Sequence, residues 1–180
     1  MKYRLVRSPL GNVIVAGDGE GLRRVDFEWG RYRRVLIPED WEKDPSFPLL
    51  RRAAAELTLY FQGKLRQFSL PLAPVGTPFQ KRVWKELLRI PYGKTLSYTE
   101  LARRAGRPEA IRAAGSANAR NPLSIVIPCH RVVGKDGSLT GYGGGLEKKR
   151  ALLELEGVGA PRHLRAGASR VHPGAISAAP

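Results

Sequence analysis

The sequence predicts two domains, a small α/β domain followed by a mainly α domain that contains a helix-turn-helix. Three observations support this fold class. Short apolar runs separated by glycine and proline fill the first 27 residues, prolines and glycine cluster at residues 71–78, and capped helical segments follow. We therefore divide the chain into a scaffold domain at residues 1–70, a linker at residues 71–78, a second domain at residues 79–158 and a basic tail at residues 159–180.

The N-terminal half has the pattern of a β-meander followed by one helix. Runs at residues 3–6, 13–16 and 22–27 are bounded by turn-forming residues, as is typical of short antiparallel strands. A helix is predicted at residues 49–62, because apolar side chains recur at helical spacing and Gly63 suits its end. This half shows no catalytic constellation, so we expect it to serve packing and orientation.

Helices with clear start signals occupy the second half. Thr77 and Ser97 each open a capping box, and a proline follows Thr77 at the first helical position. The helix after Ser97 stops at Gly106, and Pro108 is placed to begin another helix through residues 110–114, which is helix-turn-helix geometry. That helix carries one arginine among very small residues. It suits a nucleic-acid groove, but alanine-rich helices with one exposed arginine are also common.

Composition limits the possible partners and compartments. The chain has 31 Lys and Arg against 16 Asp and Glu, and the net charge of +15 fits either nucleic-acid binding or a generically basic surface. One cysteine excludes an intramolecular disulfide and, with only three histidines, argues against a structural zinc site. Neither a signal-peptide pattern nor a membrane-length apolar window is present, so we expect a soluble, cytoplasmic and nucleoid-associated protein with no membrane partner.

The single cysteine is the strongest candidate for chemistry. Cys129 follows an apolar run at residues 124–127 that is typical of a buried strand, and Pro128 ends this run with a fixed backbone angle. The thiol is therefore expected on a rigid elbow, with His130 and Arg131 directly after it. The alternative is that Cys129 is a small buried hydrophobe, as most lone cysteines are.

A carboxylate on a later helix is the candidate partner of the imidazole. The spacing predicts a helix at residues 146–156, ended by Gly157, in which Glu156 shares a face with leucines and can therefore point inward. A series of Glu156, His130 and Cys129 would orient the imidazole and raise the thiolate fraction of the cysteine. The alternative is a solvated acid at a helix C-terminus, which is an electrostatically poor position.

Several short motifs occur in a fixed order between residues 77 and 157. They are Thr77-Pro78-Phe79-Gln80, Pro91-Tyr92-Gly93-Lys94-Thr95, Ser97-Tyr98, Asn121-Pro122, Pro128-Cys129-His130-Arg131-Val132, Gly141-Tyr142-Gly143-Gly144-Gly145 and Leu152-Leu153-Glu154-Leu155-Glu156-Gly157. In this order they resemble the O6-alkylguanine-DNA alkyltransferases, or methylated-DNA–protein-cysteine methyltransferases. The resemblance implies a ribonuclease-H-like α/β domain and a mainly α domain with a winged helix-turn-helix.

The resemblance also implies a reaction, the direct reversal of DNA damage. The alkyl group of O6-alkylguanine would move irreversibly to Cys129, once per molecule, and O4-alkylthymine stays open as a second substrate. His130 would act as the base through an ordered water and would be oriented by Glu156. Asn121 would tie the cysteine turn to the DNA-binding helix, and Tyr98 would hydrogen-bond the leaving guanine.

The same resemblance implies that the target nucleotide is flipped out of double-stranded DNA, with Arg112 filling the space it leaves. The expected DNA contacts are Arg112, Ala113, Gly115, Ser97, Thr95 and Arg131. The expected base pocket is formed by Tyr98, Val132, Tyr142 and Gly143. No cofactor and no metal is expected, and the protein is expected to be a monomer for which cooperative assembly on DNA stays open.

Two other functions remain as alternatives. A module that recognises alkylated DNA without repairing it would require an inert thiol at Cys129. A hydrolase of the Cys-His class would require a hydrolytic water and oxyanion donors, and it would release its product, whereas a thioether at Cys129 has no easy hydrolytic exit.

Overall fold

The computed structural model describes residues 1–30 and 35–159, which contain six strands and five α-helices. No helix in this part of the chain is both long and apolar enough to cross a membrane. The basic tail predicted at residues 159–180 lies outside the described residues from residue 160 onward. The predicted domain and linker boundaries stay predictions.

The N-terminal part is a four-stranded sheet. β1 (Lys2–Val6), β2 (Val13–Asp18) and β3 (Gly21–Phe27) form the predicted antiparallel meander. β4 (Glu42–Lys43) pairs in parallel with β1 and was not predicted, because two charged and exposed residues give no strand signal. The strand order is β3-β2-β1-β4.

One helix covers this sheet. α1 (Pro48–Phe61) begins and ends one residue before the predicted positions, and it packs against β2 and β1. Its buried face includes Ala53, Leu57 and Tyr60, each with no exposed surface. The spacing of three and four between these residues is the reason that one side of the helix enters the core.

The C-terminal part is built from four helices around a common core. α2 (Pro78–Leu88), α3 (Tyr98–Arg104) and α4 (Ile111–Ala119) pack against one another, and α5 (Leu146–Leu155) contacts the segment that contains the cysteine. α3 and α4 are the two helices of the helix-turn-helix. Trp84 of α2 donates its indole hydrogen to the carbonyl of Ala117 at 2.9 Å and so fixes α4 from behind.

The helix starts differ in part from the sequence predictions. The capping box at Thr77 is complete, whereas at Ser97 only the hydroxyl caps the helix, since the Glu100 carboxylate pairs with two arginines of α3 instead. The prediction that Pro108 begins the next helix is wrong. α4 begins at Ile111, because the amide of Ala110 is still part of a turn and donates to the carbonyl of residue 107 at 3.0 Å.

The apolar run before the cysteine is a tight turn and not the predicted strand. The amide of Ile127 donates to the carbonyl of Leu123 at 2.8 Å, and Ile125 takes a positive φ of 74°. The run is apolar because its side chains are buried, and burial of a short run does not distinguish a strand from a turn. A 3₁₀ turn at Cys129–Arg131 follows and leads into β6 (Val132–Val133), which pairs in parallel with β5 (Leu96–Ser97).

The N-terminal sheet supports this turn directly. The amide of Val25 in β3 donates to the carbonyl of Pro122 at 2.8 Å, and its carbonyl accepts from the amide of Ser124 at 2.8 Å. The Ser124 hydroxyl also donates to Asp26 Oδ1 at 3.2 Å. The two halves of the chain therefore meet at the segment that carries the cysteine.

Candidate active site

Cys129 lies at the start of the 3₁₀ turn and is 5% exposed. Its amide donates to the carbonyl of Ile127 at 2.8 Å. The carboxamide of Asn121 spans the same turn, because it accepts from the amide of Leu123 at 3.0 Å and donates to the carbonyl of Ile127 at 2.8 Å. Asn118 of α4 donates to the carbonyl of Cys129 at 3.5 Å, so the cysteine turn also contacts this helix directly.

The thiol is protonated in this closed environment. Burial raises the pKa of Cys129 to about 11, against the hydrogen bond from Asn121 and the positive charge of Lys149. A thiol with that pKa is ionised in about one molecule in 10⁴ at pH 7. The resting site therefore holds little thiolate, and a base must remove the proton as the thiol reacts.

Glu156 is buried, which rules out the alternative of a solvated acid. It ends α5, is 4% exposed, and its Oε1 lies 2.9 Å from His130 Nε2. The same oxygen accepts from Arg131 at 2.9 Å and from the hydroxyl of Tyr60 at 2.7 Å, while Oε2 accepts from Arg131 Nε at 2.8 Å. The carboxylate is thus the centre of a buried hydrogen-bond network.

The ionisation states of this pair suit base chemistry. Burial alone would raise the pKa of Glu156, but hydrogen bonds from His130 and Arg131 hold it at about 2. Burial lowers the pKa of His130, against the pull of the carboxylate. The imidazole is therefore neutral at pH 7, and its Nε2 carries the hydrogen that it donates to Glu156. Its Nδ1 is left as the basic atom, buried and without a hydrogen-bond partner in the described part of the protein.

The expectation that Arg131 contacts DNA does not fit its position. The side chain is 6% exposed, makes two hydrogen bonds to Glu156, and donates to the carbonyl of Ile90 at 2.6 Å. A buried carboxylate that binds a neutral imidazole needs a compensating cation, and Arg131 supplies it. We assign this arginine to the Glu156 network.

Lys149 is a buried cation next to the thiol that sequence reasoning did not select. It has no exposed surface, and its ammonium donates to the carbonyls of Val132 at 2.6 Å and Thr140 at 2.7 Å. Burial lowers its pKa to about 8, and the field of Cys129 opposes this shift. The signal was present, because a lysine on the apolar face of the helix predicted at residues 146–156 is costly unless it has a task.

Tyr98 is placed beside the cysteine by the pairing of β5 with β6. It is half-buried, and burial raises the pKa of its phenol, with a smaller contribution from Cys129. Lys149 Nζ lies 5.9 Å from the centre of its ring. A Cβ added to Gly115 of α4 would lie 3.6 Å from this ring, so Tyr98 also borders the helix-turn-helix.

The other expected DNA contacts lie on or near that motif. Arg112 and Ala113 are exposed at the start of α4, and Thr95 is exposed just before β5. Ser97 is half-buried, and its hydroxyl accepts from the amide of Glu100 at 3.1 Å. Arg112, Ala113 and Thr95 are thus exposed on the helix-turn-helix or just before it, whereas Arg131 is buried.

A cavity of about 1100 Å³ opens on the thiol between the two halves of the chain. Cys129, Tyr142 and Gly143 line it together with Asp26 and Ser124, whereas Tyr98 and Val132 do not. Val132 is fully buried in β6. Tyr142 is buried against the backbone of Gly144, where an added Cβ would come within 2.8 Å of its ring. Of the four residues expected to form the base pocket, Tyr142 and Gly143 line this cavity, and Tyr98 and Val132 do not.

The described residues contain no group of three or more His, Cys, Asp and Glu side chains that could hold a metal ion. The groups gathered at this site are a thiol, a neutral imidazole, a carboxylate and two buried cations, Arg131 and Lys149. This set can deprotonate a sulfur nucleophile and stabilise the charge that results.

Two family models cover almost all of the described chain. Residues 78–158 match the DNA binding domain of 6-O-methylguanine DNA methyltransferase, and residues 1–74 match its ribonuclease-like domain. The predicted fold class, an α/β domain followed by a mainly α domain with a helix-turn-helix, is confirmed.

Individual relatives of the chain belong to the same family as these two domains. A methylated-DNA–protein-cysteine methyltransferase of Methanosarcina barkeri is 52% identical over 156 residues, which cover 87% of this chain and 97% of the relative. A crystal structure of Mycobacterium tuberculosis OGT in complex with DNA has a TM-score of 0.79 and 47% identity, and covers 87% of this chain and 92% of that one. A Methanococcus jannaschii O6-methylguanine DNA methyltransferase has a TM-score of 0.57 and 31% identity, and covers 85% and 92%. The chain belongs to the 6-O-methylguanine DNA methyltransferase family.

Proposed function

We infer that this protein repairs DNA by moving the alkyl group of O6-alkylguanine onto Cys129, as a methylated-DNA–protein-cysteine methyltransferase. The observation that carries this conclusion is a buried thiol on a turn fixed to a helix-turn-helix, next to a neutral imidazole held by a buried carboxylate. Double-stranded DNA is the partner. We further propose that the protein acts as a cytoplasmic monomer at the nucleoid.

The transfer is a displacement at the alkyl carbon. The sulfur of Cys129 forms a bond to this carbon while the bond between carbon and guanine O6 breaks. The thiol proton passes through a water molecule to His130 Nδ1, and guanine leaves with a proton in place of the alkyl group, for which Tyr98 is the nearby donor. Because the product is a thioether, the protein is consumed in the reaction and acts once.

The size of each effect shows where the rate comes from. At pH 7 the thiol of pKa about 11 supplies almost no thiolate, so removing its proton during transfer is required. In-line placement of sulfur and carbon provides the largest further gain, since effective molarities of oriented groups reach about 10⁵ M or more. The rigid turn held by Asn121 fits this requirement.

Extrusion of the nucleotide is the step assigned to the helix-turn-helix. A stacked base cannot reach a thiol that is 5% exposed, and flipping a nucleotide costs a few kcal/mol. Arg112, which is exposed at the start of α4, would fill the gap in the stack, and Ala113, Gly115, Ser97 and Thr95 would contact the DNA beside it.

Replacing Arg112 by alanine is expected to slow transfer from duplex DNA about tenfold or more and to leave transfer from free O6-benzylguanine within about twofold, because only the duplex requires extrusion. Single-turnover rates on the two substrates measure this. The control is Arg51→Ala, which removes the same charge from an exposed position of α1. Equal losses on both substrates for Arg112→Ala would remove its role in extrusion.

Replacing Lys149 by methionine is expected to slow transfer from free O6-benzylguanine about threefold or more. Loss of the cation raises the pKa of the Cys129 thiol. Each unit of this rise lowers the thiolate population about tenfold. The greater nucleophilicity of a more basic sulfur offsets about threefold of that loss, which leaves a net slowing of about threefold per unit. The exposed Lys85→Met variant controls for net charge. An unchanged rate in folded Lys149→Met would separate the lysine from the chemistry.

The proposed function is tested by titrating the protein with a duplex oligonucleotide that contains one O6-methylguanine. Repaired DNA should rise linearly with protein and stop at one lesion per molecule, as measured by nuclease digestion and chromatography of the nucleosides. Multiple turnover would favour a hydrolase-like enzyme, and binding without loss of the methyl group would favour the recognition module.

A further inference from the structure

The N-terminal half supplies a side chain to the Glu156 network. Tyr60 lies on the buried face of α1, has no exposed surface, and donates its hydroxyl hydrogen to Glu156 Oε1 at 2.7 Å. The two residues are 96 positions apart. The acceptor is the same oxygen that holds His130 Nε2 at 2.9 Å.

We propose that Tyr60 is a positioning residue of the transfer reaction, because its hydroxyl holds the Glu156 oxygen that orients His130 and limits how strongly this oxygen attracts a proton onto the imidazole. This inference rests on the proposed function. It assigns to the N-terminal domain a part in the chemistry in addition to its part in packing.

The direction of the effect follows from the hydrogen bonds. Oε1 receives three donors, from Tyr60, Arg131 and His130, and each donor reduces the negative charge that is available to the others. Removing the phenol hydrogen leaves more charge for the imidazole and therefore favours the protonated imidazolium. Because transfer uses neutral His130, the loss should appear at low pH.

Several other groups act on the same pair and are unchanged by a substitution at Tyr60. The titratable and charged groups that face His130 or Glu156 are Arg131 of the 3₁₀ turn, Lys149 of α5, Tyr92 from the loop after α2 and Tyr142 from the loop before α5. Cys129 affects the pair indirectly, because it acts electrostatically on Lys149 and Tyr142.

Tyr92 provides a matched control. Its hydroxyl donates at 3.0 Å to the carbonyl of Leu155 and not to the carboxylate, and its ring centre is 6.3 Å from that of Tyr60.

The experiment measures the single-turnover rate of benzyl transfer from free O6-benzylguanine between pH 5 and pH 9 for the wild type, Tyr60→Phe and Tyr92→Phe. For Tyr60→Phe we expect the midpoint of the acid limb to rise by about 0.5 unit or more. At pH values below the midpoint the variant should then be about threefold slower than the wild type, and at pH 8.5 the two rates should be equal. Tyr92→Phe should keep the wild-type midpoint. A purely structural role would lower the active fraction of Tyr60→Phe without moving its midpoint, and a folded variant with the wild-type midpoint would overturn the inference.

A second variant decides the question if Tyr60→Phe does not fold. Tyr60→3-fluorotyrosine keeps the hydroxyl and the packing but donates a stronger hydrogen bond. The midpoint of the acid limb of its rate–pH profile should therefore move to lower pH. A midpoint equal to that of the wild type would overturn the inference. Transfer by the wild type is measured in the same series. No transfer in the wild type would refute the proposed function, whereas normal transfer with unmoved midpoints in the variants would refute only the role of Tyr60.

Discussion

Replacing Cys129 by serine is expected to abolish alkyl transfer and to leave the fold intact. A hydroxyl is far harder to ionise than a thiol in a buried site, and removal of a nucleophile commonly costs about 10³-fold or more. The turn itself depends on the backbone and on Asn121, which serine does not disturb. Single-turnover transfer from O6-benzylguanine should therefore be undetectable, and thermal unfolding followed by circular dichroism should change by only a few degrees.

Cys129→Ala is the companion variant, because it removes the hydroxyl as well. Both variants should bind methylated duplex as the wild type does. Transfer by either variant within tenfold of the wild-type rate would show that Cys129 is not the acceptor, and collapse of both folds would make the thiol a structural residue.

Replacing Glu156 by glutamine is expected to affect both stability and chemistry. The carboxylate accepts from Tyr60, His130 and Arg131, and an amide nitrogen in the place of one oxygen cannot accept from any of them. Breaking a buried ion pair costs about 3–5 kcal/mol, so we expect the free energy of unfolding to fall by roughly that amount. The folded fraction should transfer about tenfold more slowly or worse, since His130 loses its orientation.

Glu154→Gln is the matched control, because Glu154 is exposed on the same helix. Urea unfolding of the two variants at pH 7 makes the comparison. Equal stability of Glu156→Gln and Glu154→Gln would contradict the structural role of the buried carboxylate.

The acid dependence of stability provides a second readout for the same variant. The pKa of Glu156 is about 2 in the folded protein, below the 4.5 of an unperturbed glutamate. The unfolded chain therefore binds more protons between these values, and the stabilisation present above pH 4.5 is lost as the pH falls toward 2. This part of the acid dependence should be absent in Glu156→Gln.

The sequence was sufficient for features that depend on local patterns. The three-stranded meander, α1 and the capping box at Thr77 follow from short-range spacing, and the structure contains each of them. The spacing left two positions open for Glu156, a solvated helix end and an inward position paired with His130, and the structure shows the second. Motif order was informative about the family because it reflects many positions at once.

The sequence was not sufficient where tertiary contacts decide. Residues 124–127 are apolar because they are buried, and burial alone did not reveal that Ile125 turns the chain with a positive φ. Arg131 was expected at the DNA from the family resemblance, but its guanidinium is buried and hydrogen-bonds the Glu156 carboxylate. The sequence around Tyr60 indicates an ordinary core residue of a helix. Nothing near it in the sequence indicates that its hydroxyl donates to Glu156, 96 positions away.

The central claim is that the alkyl group leaves DNA and stays on Cys129, and the most direct test is the mass of the protein after reaction. The protein is incubated with an excess of duplex bearing one O6-methylguanine, and the intact chain and its peptides are weighed. We predict one added methyl group per molecule, located on the peptide that contains Cys129, with no further addition at longer times. Unmodified protein alongside repaired or tightly bound DNA would contradict this account.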